Sequence, residues 1–177
     1  MLSPANTKAG PATATLHDDR VKSAGLGQIV TSRDLGDTLI AYGLGSCVGV
    51  IGYDAAASVG GLLHALLPLR RDGDPNEAKY VDSGIPALVR QMEALGAKRR
   101  SIVWYVVGGA EMLKIPGLGG EFNIGGRNAE AARQVMDRLS LSARAIDTGG
   151  SAGRTVKLTM RDGGVVVRTL GRGERAL

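Results

Sequence analysis

The only cysteine in the 177-residue chain, Cys47, lies 17 residues before His64, one of two histidines. A thiol beside an imidazole can form an ion pair that lowers the thiol pKa and yields a thiolate, the nucleophile that attacks an amide or ester carbon. Gly45 and Ser46 precede the cysteine, and the backbone N–H groups of Ser46 and Cys47 could stabilise the resulting oxyanion. A structural cysteine packed on a core histidine fits the same residue types, so the pair alone leaves both interpretations open.

A predicted β-hairpin would bring the two side chains together. If it turns at residues 54–57 and Tyr53 pairs with Ser58, Cys47 lies directly opposite His64, with Cβ atoms roughly 4.5 to 5.5 Å apart. A slip of one residue would place them on opposite faces, so the prediction depends on an even number of loop residues. Both faces of the hairpin are largely apolar, and we expect both to be covered.

Patterns of apolar and β-branched residues along the rest of the chain predict an α+β fold. They favour eight strands, at residues 28–32, 38–42, 47–53, 58–64, 101–107, 143–147, 155–160 and 165–169. Apolar side chains at helical spacing predict helices over about 80–95 and 127–139.

The two ends of the chain differ from its middle. Residues 1–24 are rich in Ala, Thr, Pro and charge without an apolar core, which predicts a disordered leader rather than a signal peptide. A single domain is expected over 25–170, followed by a basic tail at 171–177. Residues 154–177 carry six basic and two acidic side chains. This segment could attract an acidic partner, although a solvated edge is the plainer interpretation.

Composition excludes several classes of protein. The longest apolar run, 55–69, is shorter than the ~18 residues of a membrane span, so no membrane insertion is expected. Aromatic residues are only 3% of the chain, which argues against binding of single-stranded nucleic acid. A lone cysteine rules out an intramolecular disulfide and favours a reducing compartment, so we expect a cytoplasmic protein.

The glycine-rich stretch 116–126 leads into the second predicted helix. Asn123, Arg127 and Asn128, with the backbone amides there, could bind an anion or a carboxamide at the helix N-terminus, and an ordinary capped loop is equally compatible. No metal is expected, because His64 has no carboxylate or second imidazole at ligand spacing.

Six stretches in this order resemble CheD, the family of chemoreceptor glutamine deamidases of bacterial chemotaxis. The resemblance extends from about Gln28 to Leu170, and it includes the interval between the cysteine and the histidine. The matching stretches are GLGSC ending at Cys47, HALLP at 64–68, AKYVD at 78–82, GGAEML at 108–113, NIGGRNAEA at 123–131 and DTGGSAGR at 147–154.

The resemblance implies both a fold and a reaction. The fold would be a layered sandwich of mixed and antiparallel sheets with flanking helices, also found in a family of deamidating bacterial toxins. The reaction would convert selected Gln side chains on the cytoplasmic helices of chemoreceptors to Glu. Cys47 would be the nucleophile that forms a thioester and His64 the general base and acid, without a cofactor.

One position departs from the family pattern. The family has a Thr that completes a Cys-His-Thr triad where this chain has Ala41, so orientation of the imidazole would pass to Ser46, Thr38, a backbone carbonyl or the substrate.

Two predictions concern partners. Some family members bind a CheC-type chemotaxis phosphatase, which makes a regulatory binding protein the alternative to an enzyme. We also expect Arg172 and Arg175 to help hold the acidic receptor helices.

Overall fold

Two five-stranded sheets pack face to face in the computed structural model, which describes residues 20–112 and 123–177. Two helices cover the far side of one sheet. The strands are β1 (Arg20–Ser23), β2 (Gln28–Ser32), β3 (Asp37–Leu44), β4 (Val48–Asp54), β5 (Val59–Ala65), β6 (Val103–Gly108), β7 (Ala143–Thr148), β8 (Arg154–Thr159), β9 (Gly164–Thr169) and β10 (Gly173–Ala176), and the helices are α1 (Val81–Ala94) and α2 (Ile124–Arg138).

The sheets are mixed. The outer sheet has the strand order β1-β3-β8-β9-β10, and the central sheet has the order β2-β5-β4-β6-β7. The β1–β3 and β6–β7 pairs are parallel, and the other neighbours are antiparallel. The predicted α+β class and layered sandwich of mixed sheets with flanking helices are confirmed.

Side chains of the central sheet alternate between two apolar clusters, because successive side chains of a strand point to opposite faces. Val50, Leu63 and Val106 pack against the helices on one face. Ile51 and Leu62 pack against the outer sheet on the other. The expectation that both faces of the hairpin are covered is confirmed.

Each predicted strand and helix is present, with bounds that differ by a few residues. The second helix begins at Ile124, three residues earlier than predicted, because the Asn123 side chain caps it. Asn123 Oδ1 accepts a hydrogen bond from Gly126 N at 2.7 Å.

Two strands were missed at the ends of the chain. Residues 20–23 of the predicted disordered leader form β1, and residues 173–176 of the predicted tail form β10, so both boundaries are corrected. Residues 1–19 of the leader lie outside the described residues. All eight residues of the two strands are exposed, so neither strand has the apolar pattern by which the others were predicted.

The β4–β5 hairpin has a different register from the predicted one. Tyr53 pairs with Gly60, two residues beyond the predicted partner. His64 therefore lies opposite Gly49, and the prediction that it lies directly opposite Cys47 is wrong.

The turn chemistry of Asp54 accounts for the shift. Its Oδ1 accepts hydrogen bonds from the N–H groups of Ala56 and Ala57, at 3.0 and 3.2 Å, so the turn begins after Asp54 rather than at it. The loop, 55–58, keeps the predicted four residues. An even shift leaves the cysteine and the histidine on one face.

Candidate active site

The cysteine lies in a short link between the two sheets. Residues 45–47 connect β3 of the outer sheet to β4 of the central sheet. Their three carbonyl oxygens are all bonded: Gly45 O to Ala110 N at 2.7 Å, Ser46 O to Asn128 Nδ2 at 2.9 Å, and Cys47 O to Gly109 N at 2.7 Å. The loop that carries the nucleophile candidate is thus held at every residue.

These bonds also orient the amide N–H groups. A trans peptide points its C=O and its N–H in opposite directions. Because the carbonyls of Gly45 and Ser46 point towards Ala110 and Asn128, the N–H groups of Ser46 and Cys47 point away from those donors.

Two glycines that the sequence analysis did not single out allow the loop to pack this closely. A Cβ atom on Gly108, which has a φ of 110°, would collide with Cys47 O. A Cβ atom on Gly125 would collide with Ala110 O. The glycine pairs in GGAEML and NIGGRNAEA were the signal for this close approach.

His64 is buried on β5, with 2% of its surface exposed. Its Nδ1 lies 3.1 Å from Ala24 O. A carbonyl only accepts hydrogen bonds, so Nδ1 carries the proton and Nε2 has the free lone pair. Nε2 is buried, and none of the described residues bonds to it. The ring is in the tautomer that a general base needs.

The cysteine and the histidine share the layer between the two sheets. Cys47 packs against the cluster between the sheets, and that cluster includes Ala24, the residue whose carbonyl contacts His64. Cys47 precedes Gly49, the partner of His64, by two residues. The two side chains are therefore diagonal neighbours, a relation with roughly 7 to 8 Å between Cα atoms.

Burial favours the uncharged form of both groups. Burial raises the pKa of the Cys47 thiol above 9.0, against a smaller lowering by its own backbone amide. Burial lowers the pKa of His64 below 6.5, against a smaller rise from the Ala24 carbonyl. Both shifts oppose formation of the expected thiolate–imidazolium pair.

The orienting group for His64 is a backbone carbonyl, one of four alternatives left open by the sequence. Ala41 is fully buried between the sheets, opposite Val156. Thr38 points to the opposite face of β3 from Ala41, because the two positions differ by an odd number. The Ala24 carbonyl instead contacts Nδ1.

The three residues expected near the helix N-terminus occupy different environments. Asn128 is fully buried, and its Nδ2 donates to Ser46 O and also to Leu66 O at 2.7 Å. Asn123 and the exposed Arg127 line a surface cleft with Leu69. The structure brings Asn128 to the cysteine loop, lines a second pocket with Asn123 and Ser46, and places Arg127 beside the neighbouring cleft.

Arg175, predicted to hold a partner, already has an acidic neighbour. Its Nη2 lies 2.9 Å from Asp147 Oδ2, and Arg154 Nη2 lies 3.1 Å from Asp147 Oδ1. The cluster ties β7 of the central sheet to β8 and β10 of the outer sheet. The charge of Arg175 is thus partly neutralised by Asp147 within the protein.

Within residues 20–112 and 123–177, no three side chains of the metal-binding types form a group that could hold an ion. No helix in those ranges has the length and apolar character to cross a membrane.

Comparison with known proteins adds to this geometry. The CheD family model, described as CheD chemotactic sensory transduction, matches residues 66–169. The chain is 38% identical over 165 residues to the probable chemoreceptor glutamine deamidase CheD of Symbiobacterium thermophilum, covering 92% of this chain and 100% of the relative. It is also 38% identical over 143 residues to the chemoreceptor glutamine deamidase CheD of Halalkalibacterium halodurans, covering 79% and 88%.

Among solved structures, Bacillus licheniformis hypothetical protein YfiH aligns with a TM-score of 0.46 and 14% identity, over 78% of this chain and 62% of that one. A likeness this distant has no bearing on function. The family match and the relatives establish that the chain belongs to the CheD family.

Proposed function

We propose that the protein is a chemoreceptor glutamine deamidase that hydrolyses Gln side chains on cytoplasmic receptor helices to Glu. The names of its relatives support the substrate and the reaction. The observation that carries the proposal is His64: its tautomer is set by the Ala24 carbonyl, and its free Nε2 shares a layer with Cys47. The cytoplasm, where these helices lie, is the proposed location.

The first half of the reaction forms a thioester. His64 Nε2 takes the thiol proton as Cys47 Sγ attacks the carboxamide carbon, because the neutral pair transfers its proton only during the attack. The oxyanion accepts hydrogen bonds from the N–H groups of Ser46 and Cys47. His64 then gives its proton to the departing nitrogen, and ammonia leaves as the C–N bond breaks.

The second half uses water. His64 Nε2 takes a proton from the water molecule that attacks the thioester carbon, and the C–S bond breaks. The Cys47 sulfur leaves and recovers a proton from His64, and the product side chain is Glu. Every proton is accounted for by the imidazole, so the scheme uses no cofactor.

Three further residues support the two main ones. Asn128 binds the carbonyl before Cys47 and the carbonyl two residues after His64, so it sets the distance between the catalytic elements. Asn123 and Arg127 would bind the receptor, because the cleft that they line is open to solvent.

The test is mass spectrometry of a chemoreceptor cytoplasmic fragment from the same organism, incubated with the protein in water labelled with heavy oxygen. Wild-type protein should convert Gln to Glu and place one labelled oxygen in each new carboxylate. Cys47→Ala and His64→Gln should leave the fragment unchanged, and Arg133→Met, on an exposed part of α2, should behave as wild type.

Failure of wild-type protein to modify any Gln in its own receptors would refute the proposal. Binding to a CheC-type phosphatase, which stays a prediction, would then be the interpretation to test. Modification by Cys47→Ala at the wild-type rate would remove the cysteine from the mechanism.

A further inference from the structure

The carbonyl that orients His64 belongs to Ala24, a buried residue at the end of an exposed strand. Ala24 directly follows β1, and its N–H extends the β1–β3 ladder by donating to Ile40 O at 2.8 Å. β1 is a four-residue strand at the edge of the outer sheet, pairs in parallel, and exposes all four residues. Val21 is 60% exposed. Apolar packing therefore does little to hold this strand in place.

Charged side chains hold β1 instead: Arg20 Nη2 pairs with Asp34, and both Arg20 and Lys22 contact the buried carboxylate of Asp37. The Asp37 side chain is fully buried at the start of β3. Lys22 Nζ lies 2.6 Å from Asp37 Oδ2, and Arg20 Nε lies 3.3 Å from Asp37 Oδ1. Ser32 Oγ on β2 donates to Asp37 Oδ2. We call Asp37, Lys22, Arg20 and Ser32 the β1 clamp.

The clamp joins three strands from both sheets. Lys22 Nζ also donates to Ser32 Oγ at 3.2 Å, so it contacts β2 of the central sheet as well as β3 of the outer one. Burial alone would raise the pKa of Asp37, but the hydrogen bonds from Lys22 and Ser32, together with the charges of Lys22 and Arg20, outweigh burial and lower the pKa below 3.8. The carboxylate is thus charged at neutral pH and is the anchor for β1.

We infer that Asp37 is a positioning residue for His64: it holds β1, and through β1 it holds the Ala24 carbonyl that fixes the imidazole tautomer. The inference rests on the proposed role of His64 as general base. In this chain the imidazole would be oriented by a buried carboxylate and a backbone carbonyl, in place of a hydroxyl side chain at position 41.

The test measures the tautomer of His64 directly, by ¹⁵N NMR of the imidazole at neutral pH. The chain has two histidines, so a His64→Gln spectrum assigns the signals. Wild-type protein should show one protonated Nδ1 and one unprotonated Nε2. In Asp37→Asn and Lys22→Met, the two nitrogens should shift towards averaged values, because a loosened carbonyl no longer selects one tautomer.

Kinetics provide the second readout. With receptor fragment as substrate, kcat should fall about tenfold in both clamp variants while KM stays unchanged, since the clamp does not touch the receptor. The matched control is Lys157→Met, which removes an exposed ion pair with Glu174 from the same sheet and should change neither readout. If Asp37→Asn does not fold, Lys22→Met and Ser32→Ala carry the test.

An unchanged tautomer in folded clamp variants would overturn the inference, and so would a lower kcat without any change in the imidazole signals. The NMR measurement needs no substrate. A wild-type protein that deamidates nothing would therefore count against the proposed function alone, while the tautomer would still decide the role of the clamp.

Discussion

The substitution Asn128→Asp tests how the two catalytic elements are held together. Asp has the same size as Asn but lacks the amide donor. In the wild-type protein, Asn128 Nδ2 donates to Ser46 O at 2.9 Å and to Leu66 O at 2.7 Å. The site is fully buried, so water cannot replace the lost donor. Both carbonyl oxygens would face a carboxylate oxygen.

The expected loss of stability follows from those two contacts. Each buried acceptor left without a donor costs about 1 to 3 kcal/mol, so the free energy of unfolding should fall by ~2 to 6 kcal/mol at neutral pH. This loss is a large part of the unfolding free energy of a typical domain, which is about 5 to 15 kcal/mol. Because Ser46 O is released, the cysteine loop should move and kcat should fall at least about tenfold.

The pH dependence of this loss has a distinctive sign. A buried carboxyl facing two carbonyls is favoured in its protonated form, which can donate one hydrogen bond, so its pKa in the folded state is raised. Stability from that bond is present below the unfolded-state pKa of about 3.9 and is lost as pH rises through the folded-state pKa. The deficit of Asn128→Asp should therefore shrink by about 1 to 3 kcal/mol between neutral pH and about pH 4.

Urea unfolding of wild type, Asn128→Asp and Arg133→Met at several pH values is the assay. Arg133 lies on the same helix and forms only exposed ion pairs, with Glu130 and Asp137, so its substitution should cost less than about 1 kcal/mol. Stability of Asn128→Asp within about 0.5 kcal/mol of wild type, or a deficit that grows in acid, would refute the bridging role.

Further predictions concern the thiol, the imidazole and a glycine. Iodoacetamide should alkylate Cys47 more slowly at neutral pH than a free thiol, because burial raises the pKa of Cys47 above 9.0. The value of kcat/KM should fall as pH drops through the pKa of His64, which burial lowers below 6.5. The contribution of neutral His64 to stability should also be full above pH 6.5 and be lost in acid. An acid limb of kcat/KM centred above pH 6.5 would contradict the lowered pKa of His64. Gly108→Ala should lose activity and about 1 to 3 kcal/mol more stability than Gly96→Ala, since both positions have positive φ but only Gly108 would collide with the Cys47 carbonyl. Equal losses in the two glycine variants, measured by urea unfolding, would contradict that collision.

Much of the fold was predictable because its signals are local. Alternation and helical spacing of apolar residues identified eight strands and both helices, and an even loop was enough to put Cys47 and His64 on one face. The register itself depended on Asp54, whose carboxylate bonds to the following turn and moves the pairing by two residues. Composition at the turn does not distinguish those two registers.

The residue types in the candidate site were determined by the sequence, whereas their chemical states were decided by the tertiary structure. A cysteine and a histidine at this interval predict a nucleophile and a base, but burial shifts the pKa of each towards its uncharged form. The group that orients His64 is the carbonyl of Ala24, and every residue has a carbonyl, so no residue type could have identified it. It reaches the imidazole because an exposed strand with no apolar pattern is anchored on Asp37, a contact between strands that exists only once both sheets have formed.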